Sequence, residues 1–195
     1  MFIHMDPKKK AFFKETFETL GTAIILALLI RAFIIQPYKI PTGSMEPTLM
    51  PSDRILVLRY VYGLRIPFTF KRIAKFNKPK TGDIIVFNYP EEPKRAFIKR
   101  CVGTSGDKIE IKGGKAILNE EPLKQKPFNR IYYYNRGSYG EEDKTIEIPE
   151  NAYFVLGDNS ASSKDSRYWG TLDDKYIIGK AVLIYWPLKR IRLLH

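Results

Sequence analysis

Residues 107–119, Asp-Lys-Ile-Glu-Ile-Lys-Gly-Gly-Lys-Ala-Ile-Leu-Asn, contain two short runs, the first with Ile at alternate positions and the second an apolar Ala-Ile-Leu, joined by Gly113-Gly114. Alternation with a period of two is the pattern of a half-buried strand, and Gly-Gly supplies the positive backbone angles of a tight hairpin turn. Outward from this hairpin the same grammar recurs in "DRILVLRYVY", "GDIIVFNYP", "RAFIKRCVG", "KTIEIPENAYFVLGD" and "GKAVLIYWPL". These runs are rich in Ile, Val, Phe and Tyr and are separated by Gly, Pro, Asp and Asn. The expected fold is therefore mainly β: an antiparallel folded-sheet or barrel-like domain over 37–195. Two polar stretches, "KRIAKFNKPKT" and a longer one at about 122–146, read as insertions.

The N-terminal part breaks the pattern. Lys8, Lys9, Lys10 and Lys14 precede "TLGTAIILALLIRAFIIQPY", which is uncharged from Thr19 to Ile30. Counted through Ile35 the run has 17 residues, about 25 Å of helix against a bilayer core of about 30 Å. Phe12, Phe13 and Phe17 extend it at one end, and Arg31 can snorkel at the other. Apolar residues surround the helix instead of forming one stripe, which favours a lipid span over a core helix. No small-x-small cleavage site directly follows the run, so it reads as an uncleaved anchor. The expected organisation is a short cytoplasmic segment (1–14), one transmembrane helix (15–36) and a translocated β-rich domain (37–195), oriented by the lysines.

The chain has 195 residues, 44% of them apolar, and a net charge of +12. That size supports one sizeable core with an appendage. The charge suits a polyanion, either nucleic acid or an anionic membrane surface. Cys101 is the single cysteine, which rules out an intrachain disulfide and a cysteine-rich metal site and leaves the compartment open.

Ser44 lies in "IPTGSMEPTLMPSD", residues 40–53, flanked by Pro41 and Pro47 and preceded by Gly43. A nucleophilic serine needs a base. The two histidines are His4, beyond the proposed span, and the terminal His195. Neither suits a Ser-His-Asp triad or a zinc site. The base is then a lysine or a carboxylate. Lys99 in "AFIKRCV" is the best lysine. On a strand Lys99 and Arg100 point to opposite faces, so one enters the apolar side while the other meets solvent. Burial disfavours the ammonium form and yields the neutral amine that can take a serine proton. Taken alone, a Lys-Arg pair in a strand is more often a solvated edge.

Read together, "IPTGSMEPTL", "TGDIIVF", "FIKRCVGTSGDKI" and "GDNSASSKDSRYWG" follow in this order behind the lysine-flanked anchor. The chain thereby resembles the bacterial type I signal peptidases, membrane-anchored serine-lysine proteases. The resemblance implies Ser44 as nucleophile and Lys99 as general base. The Ser44 N–H and the Thr42 hydroxyl are the implied oxyanion hole, where many relatives carry serine in place of Thr42. Ser163 matches the serine that orients the lysine, although the adjacent Ser162 leaves that assignment open. Asp165 and Arg167 match a supporting ion pair, and Asp158 a supporting carboxylate. Ser160 departs from the arginine that many relatives carry there. Ile40, Pro41, Met45, Leu49, Phe97 and Ile98 match or flank pocket positions for small substrate residues.

The resemblance implies no cofactor and no metal. The implied partners are preprotein signal peptides and membrane lipid, with no nucleic acid. The implied location is the bacterial cytoplasmic membrane, with the N-terminus inside and the domain outside. The basic-aromatic segment 66–76 suits anionic headgroups and equally an ordinary solvated insertion. Two other classes compete. A LexA-like self-cleaving regulator would need a DNA-binding helix-turn-helix, which is not readable here. A non-catalytic, membrane-anchored basic module would leave the four motifs unexplained.

Overall fold

The computed structural model describes residues 7–66 and 69–194. Helix α1 covers Pro7–Phe33. Its segment Phe12–Phe33, 22 residues with no buried side chain, is long and apolar enough to cross a membrane. At 1.5 Å per residue that segment is about 33 Å long, so the phenylalanines bring it to the thickness of a bilayer core. Thr16, Thr19 and Thr22 donate their hydroxyls to the carbonyls of Phe12, Glu15 and Glu18, which satisfies these three donors within the helix.

The helix stops three residues earlier than the sequence suggests. Ile35 and Gln36, expected in the anchor, belong to strand β1 (Ile35–Lys39). Pro37 lacks an N–H and forces its predecessor out of the helical region. An edge strand tolerates it, and β1 is the edge of its sheet.

β1 pairs with β2 (Arg54–Leu58). A small hairpin of β3 (Leu64–Arg65) and β4 (Arg72–Ala74) follows. Then come β5 (Ile84–Tyr89) and the long β6 (Glu92–Gly103). Next are β7 (Lys108–Lys112), β8 (Lys115–Leu118) and β9 (Glu121–Pro122). β10 (Ile146–Glu147), β11 (Ala152–Leu156), a one-turn helix α2 (Ser166–Trp169) and β12 (Leu172–Asp173) lead to β13 (Ile177–Trp186) and β14 (Arg192–Leu193). All pairings are antiparallel. The large sheet has eight strands in the order β1-β2-β13-β5-β6-β11-β12, with β14 beside β13, and it is open and folded, with β1 and β12 at its ends. β10-β7-β8-β9 form a second sheet. The Gly113-Gly114 turn joins β7 to β8 with both glycines at positive φ, 55° and 74°.

β11 is buried along its whole length because it separates two cores. Phe154 and Leu156 face a cluster with Val102, Ile109, Ile111, Phe128, Tyr133 and Ile148. Tyr153 and Val155 face another with Tyr62, Phe87, Cys101 and Leu172. The neighbouring β6 is divided in the same way, with Cys101 on one side and Val102 on the other. The polar insertion at 122–146 is not a solvated loop. It seats Phe128 and Tyr133 in the first of these cores, and Tyr133 N–H donates to the Gly114 carbonyl.

Candidate active site

The Ser44 segment is a loop between β1 and β2, closed by bonds from Ile40 N–H to Asp53 O and from Ser52 N–H to Ile40 O, both 2.8 Å. Met45 and Leu49 hold it down. Both are fully buried in the cluster formed with Ile55, Val57 and Ile184, so they pack the core and do not line the cleft as the sequence suggests. The reason is local geometry. The Met45 carbonyl accepts from Leu49 N–H, and this turn carries both side chains inward. Buried Asp53 fixes the end of the loop. It accepts from Met50 N–H and from the Nε and Nη2 of Arg190, each at 2.9 Å.

Lys99 stands on β6 opposite Ile85 of β5. Its Nζ donates to Ser44 Oγ at 2.7 Å and to the Ile98 carbonyl at 3.0 Å. The amine also lies 5.5 Å from the centre of the Phe97 ring. Lys99 is 3% exposed and Ser44 8%. Burial is the main cause that pulls the Lys99 pKa down to about 8, and Arg167 adds to it. Asp165 and Asp158 pull the other way. At pH 7 about a tenth of Lys99 is therefore uncharged, far more than of a free lysine. In that form the 2.7 Å contact reverses, and the serine hydroxyl donates to the nitrogen lone pair.

Arg100 corrects the expectation that one member of the Lys-Arg pair meets solvent. It is 1% exposed. Its Nε and Nη2 bind both oxygens of Asp158, at 2.9 and 2.7 Å, and its Nη1 donates to the Gly82 carbonyl at 2.7 Å. Both faces of β6 are covered at this point, so the second basic side chain needs a buried carboxylate, and Asp158 on the chain beyond β11 supplies it.

The residues after β11 form the far wall. Asn159 N–H donates to Ser44 O at 3.1 Å, and its side-chain amide donates to Gly43 O at 3.0 Å. Within "GDNSASSKDSRYWG" the resemblance singles out Asp158, but the direct brace on the Ser44 backbone is Asn159. Gly157 is equally constrained: a Cβ there would lie 2.2 Å from Ser163 Oγ and 2.5 Å from Ser44 O. Asp165 receives Arg167 Nε and Nη2 at 2.8 and 2.9 Å and Gly157 N–H at 3.0 Å, all buried. The departure at Ser160 finds its use here. Its Oγ accepts from Arg167 Nη1 at 2.7 Å and from Tyr134 N–H at 2.9 Å, which docks the insertion onto the ion pair.

Ser163 is buried and its hydroxyl has no hydrogen-bond partner among the described residues; it lies beside Gly157 and not on the Lys99 amine. Ser162 is exposed and lines the cleft. Thr42 is exposed on the opposite wall. His4 and His195 lie outside the described residues.

The cleft measures about 470 Å³ and is lined by Pro41, Thr42, Gly43, Ser44, Arg95 to Lys99, Ser162 and Lys164. A recess of about 30 Å³ adjoins it, walled by Ile40, Pro41, Ile55, Val86, Ala96 and Ile98. Ile40, Pro41, Phe97 and Ile98 stand at the cleft or its recess.

The signal peptidase, peptidase S26 family model matches residues 13–186 of this chain. Signal peptidase I of Leptolyngbya laminosa is 35% identical over 95% of this chain and 86% of its own length. Signal peptidase I of Pseudomonas aeruginosa is 33% identical over 84% of this chain and 70% of its own. A solved signal peptidase I from Enterococcus faecalis V583, 28% identical, covers 54% of this chain and 98% of its own with a TM-score of 0.44. With the matched region running from the helix through β13, the chain belongs to the signal peptidase family of serine peptidases, S26.

Proposed function

We propose that this chain removes signal peptides from translocated preproteins, with Ser44 as nucleophile and Lys99 as general base. The observation that carries the assignment is the buried 2.7 Å contact between Lys99 Nζ and Ser44 Oγ. Ser44 Oγ attacks the scissile carbonyl while the neutral Lys99 amine takes its proton. The oxygen that becomes negative is met by the Ser44 N–H and by the Thr42 hydroxyl. Collapse of the tetrahedral intermediate breaks the C–N bond, and Lys99 returns the proton to the departing amine. A water then repeats the sequence on the acyl-serine with the same base.

Substrate selection follows from the walls. A recess of about 30 Å³ has room for about two water-sized probes, hence for a small side chain and not a large one. β6 is paired by β11 only from Arg100 onward, so the edge of residues 95–99 is open beside the cleft. An extended peptide can add itself there as a strand. The lysines in the first turns of α1, Lys8, Lys9, Lys10 and Lys14, favour a cytoplasmic N-terminus with the β domain outside. Ser44 then works within a short reach of the outer membrane surface.

The test is cleavage of an added preprotein by the full chain in lipid. Wild type cuts it in trans; Ser44→Ala and Lys99→Ala each abolish cleavage, and the double variant is scarcely worse than either. Turnover by Lys99→Ala near the wild-type rate would remove Lys99 from the role of base.

A further inference from the structure

A second cavity, of about 580 Å³, lies beside β1 nearer the anchor, shares Tyr38 with the recess, and is lined by Gln36, Tyr38, Arg59, Arg65, Asn88 and Lys94, among others. Its position follows from the anchor. Gln36 comes three residues after the last residue of α1, and Arg59 N–H donates to the Ile34 carbonyl at 2.9 Å. A span of about 33 Å fills the hydrocarbon layer. Residues directly beyond Phe33 therefore lie at the depth of the lipid headgroups.

The cavity is electrostatically unbalanced. Arg59, Arg65 and Lys94 line it and no carboxylate does. Among the described residues the side chain of Arg59 bonds the neutral Gln36 Oε1, at 2.6 Å, and no carboxylate. Arg65 bonds neutral oxygens: the Thr69 carbonyl at 2.6 Å, Asn88 Oδ1 at 3.2 Å and the Ile177 carbonyl at 3.4 Å. Arg65 is held below its ordinary pKa, first by burial and then by the like charges of Arg59 and Arg72. Arg72 differs because Asp174 lies 3.5 Å from it. Half-burying two guanidinium groups without a counter-charge is costly, and an anion in the cavity removes that cost. Arginine forks suit the oxygens of a phosphate, and the Tyr38 hydroxyl adds a neutral donor.

We infer that this cavity is a phosphate-binding site that takes the headgroup of an anionic phospholipid through Arg59, Arg65 and Lys94. The inference rests on the reading of α1 as a membrane anchor. Tyr38 also walls the recess beside Ser44, so a lipid held here would fix the height of the cleft above the bilayer through β1.

The test uses the full chain in detergent micelles doped with phosphatidylglycerol, with retained lipid counted by native mass spectrometry. Wild type should retain one phosphatidylglycerol in preference to phosphatidylcholine. Arg59→Gln/Lys94→Gln should hold it about 30-fold more weakly, at about 1 kcal/mol for each basic residue near an anionic surface. Thermal unfolding of the same samples confirms that the variant is folded. Arg65 is left intact because it also bonds backbone carbonyls. Competition with inorganic phosphate separates the sources. Displacement of the lipid at equal concentration assigns the site to free phosphate; persistence assigns it to the headgroup. Equal retention by wild type and the folded variant would overturn the inference. Detergent phase partitioning reports on the anchor separately: a chain that partitions into detergent yet retains no lipid sinks the site and spares the anchor.

Discussion

Replacing Lys99 with Met should inactivate the protein and at the same time stabilise it. A fall of the lysine pKa from its ordinary 10.5 to about 8 means that the fold opposes the ammonium form by about 3 kcal/mol, at about 1.4 kcal/mol per tenfold change. Below pH 8 the folded chain bears that whole cost. Between 8 and 10.5 the unfolded state binds more protons than the folded one, so stability rises with pH across this window, and above it the cost is gone. Met matches the lysine stem in length and carries no charge. It forfeits the bond to Ser44 Oγ, worth about 1 kcal/mol, so the net gain at pH 6.5 is about 2 kcal/mol. The assay is urea unfolding of the full chain in micelles, followed by the fluorescence of Trp169 and Trp186. At about 2 kcal/mol/M the midpoint should move up by about 1 M at pH 6.5, and the difference from wild type should shrink towards pH 10.5. A Lys99→Met midpoint below that of wild type at pH 6.5, or a difference independent of pH, would refute the view that burial disfavours the charged form of Lys99.

Arg100→Met strips the partner from a fully buried Asp158 and should cost about 3–5 kcal/mol in the same unfolding assay. Arg100→Met/Asp158→Leu should recover most of that loss, which a double-mutant cycle measures. Gly157→Ala drives a methyl group into Ser44 O and Ser163 Oγ, so kcat for preprotein cleavage should fall about 100-fold through misplacement of the nucleophile.

What the sequence revealed was what is local. The Gly113-Gly114 turn is legible because two adjacent glycines have few other uses, and its positive angles are there. The strands are legible from alternation. Contacts formed over long sequence separations were hidden. Nothing near Arg100 announces Asp158, 58 residues on, and a Lys-Arg pair looks half-solvated until β6 is covered on both faces. Met45 and Leu49 sit in a Pro-rich loop at positions that match or flank a substrate pocket, yet they nail that loop to the core. The aromatic insertion at 122–146 looks like a polar excursion because its charges outnumber the two rings that matter, Phe128 and Tyr133. Asn159 is visible as part of a motif, but its task depends on where the loop carrying Ser44 comes to lie.

The account turns on an uncharged Lys99 beside Ser44, and the pH dependence of kcat/KM for preprotein cleavage measures it most directly. Only the neutral amine can take the serine proton, so the rate should rise through a single ionisation at about 8 and then level off. At pH 6 it should be about 50-fold below its value at pH 8, since about 1% of Lys99 is then neutral. An acid limb near pH 6.5 that disappears in a His195→Ala or His4→Ala variant would show an imidazole to be the base and contradict the account.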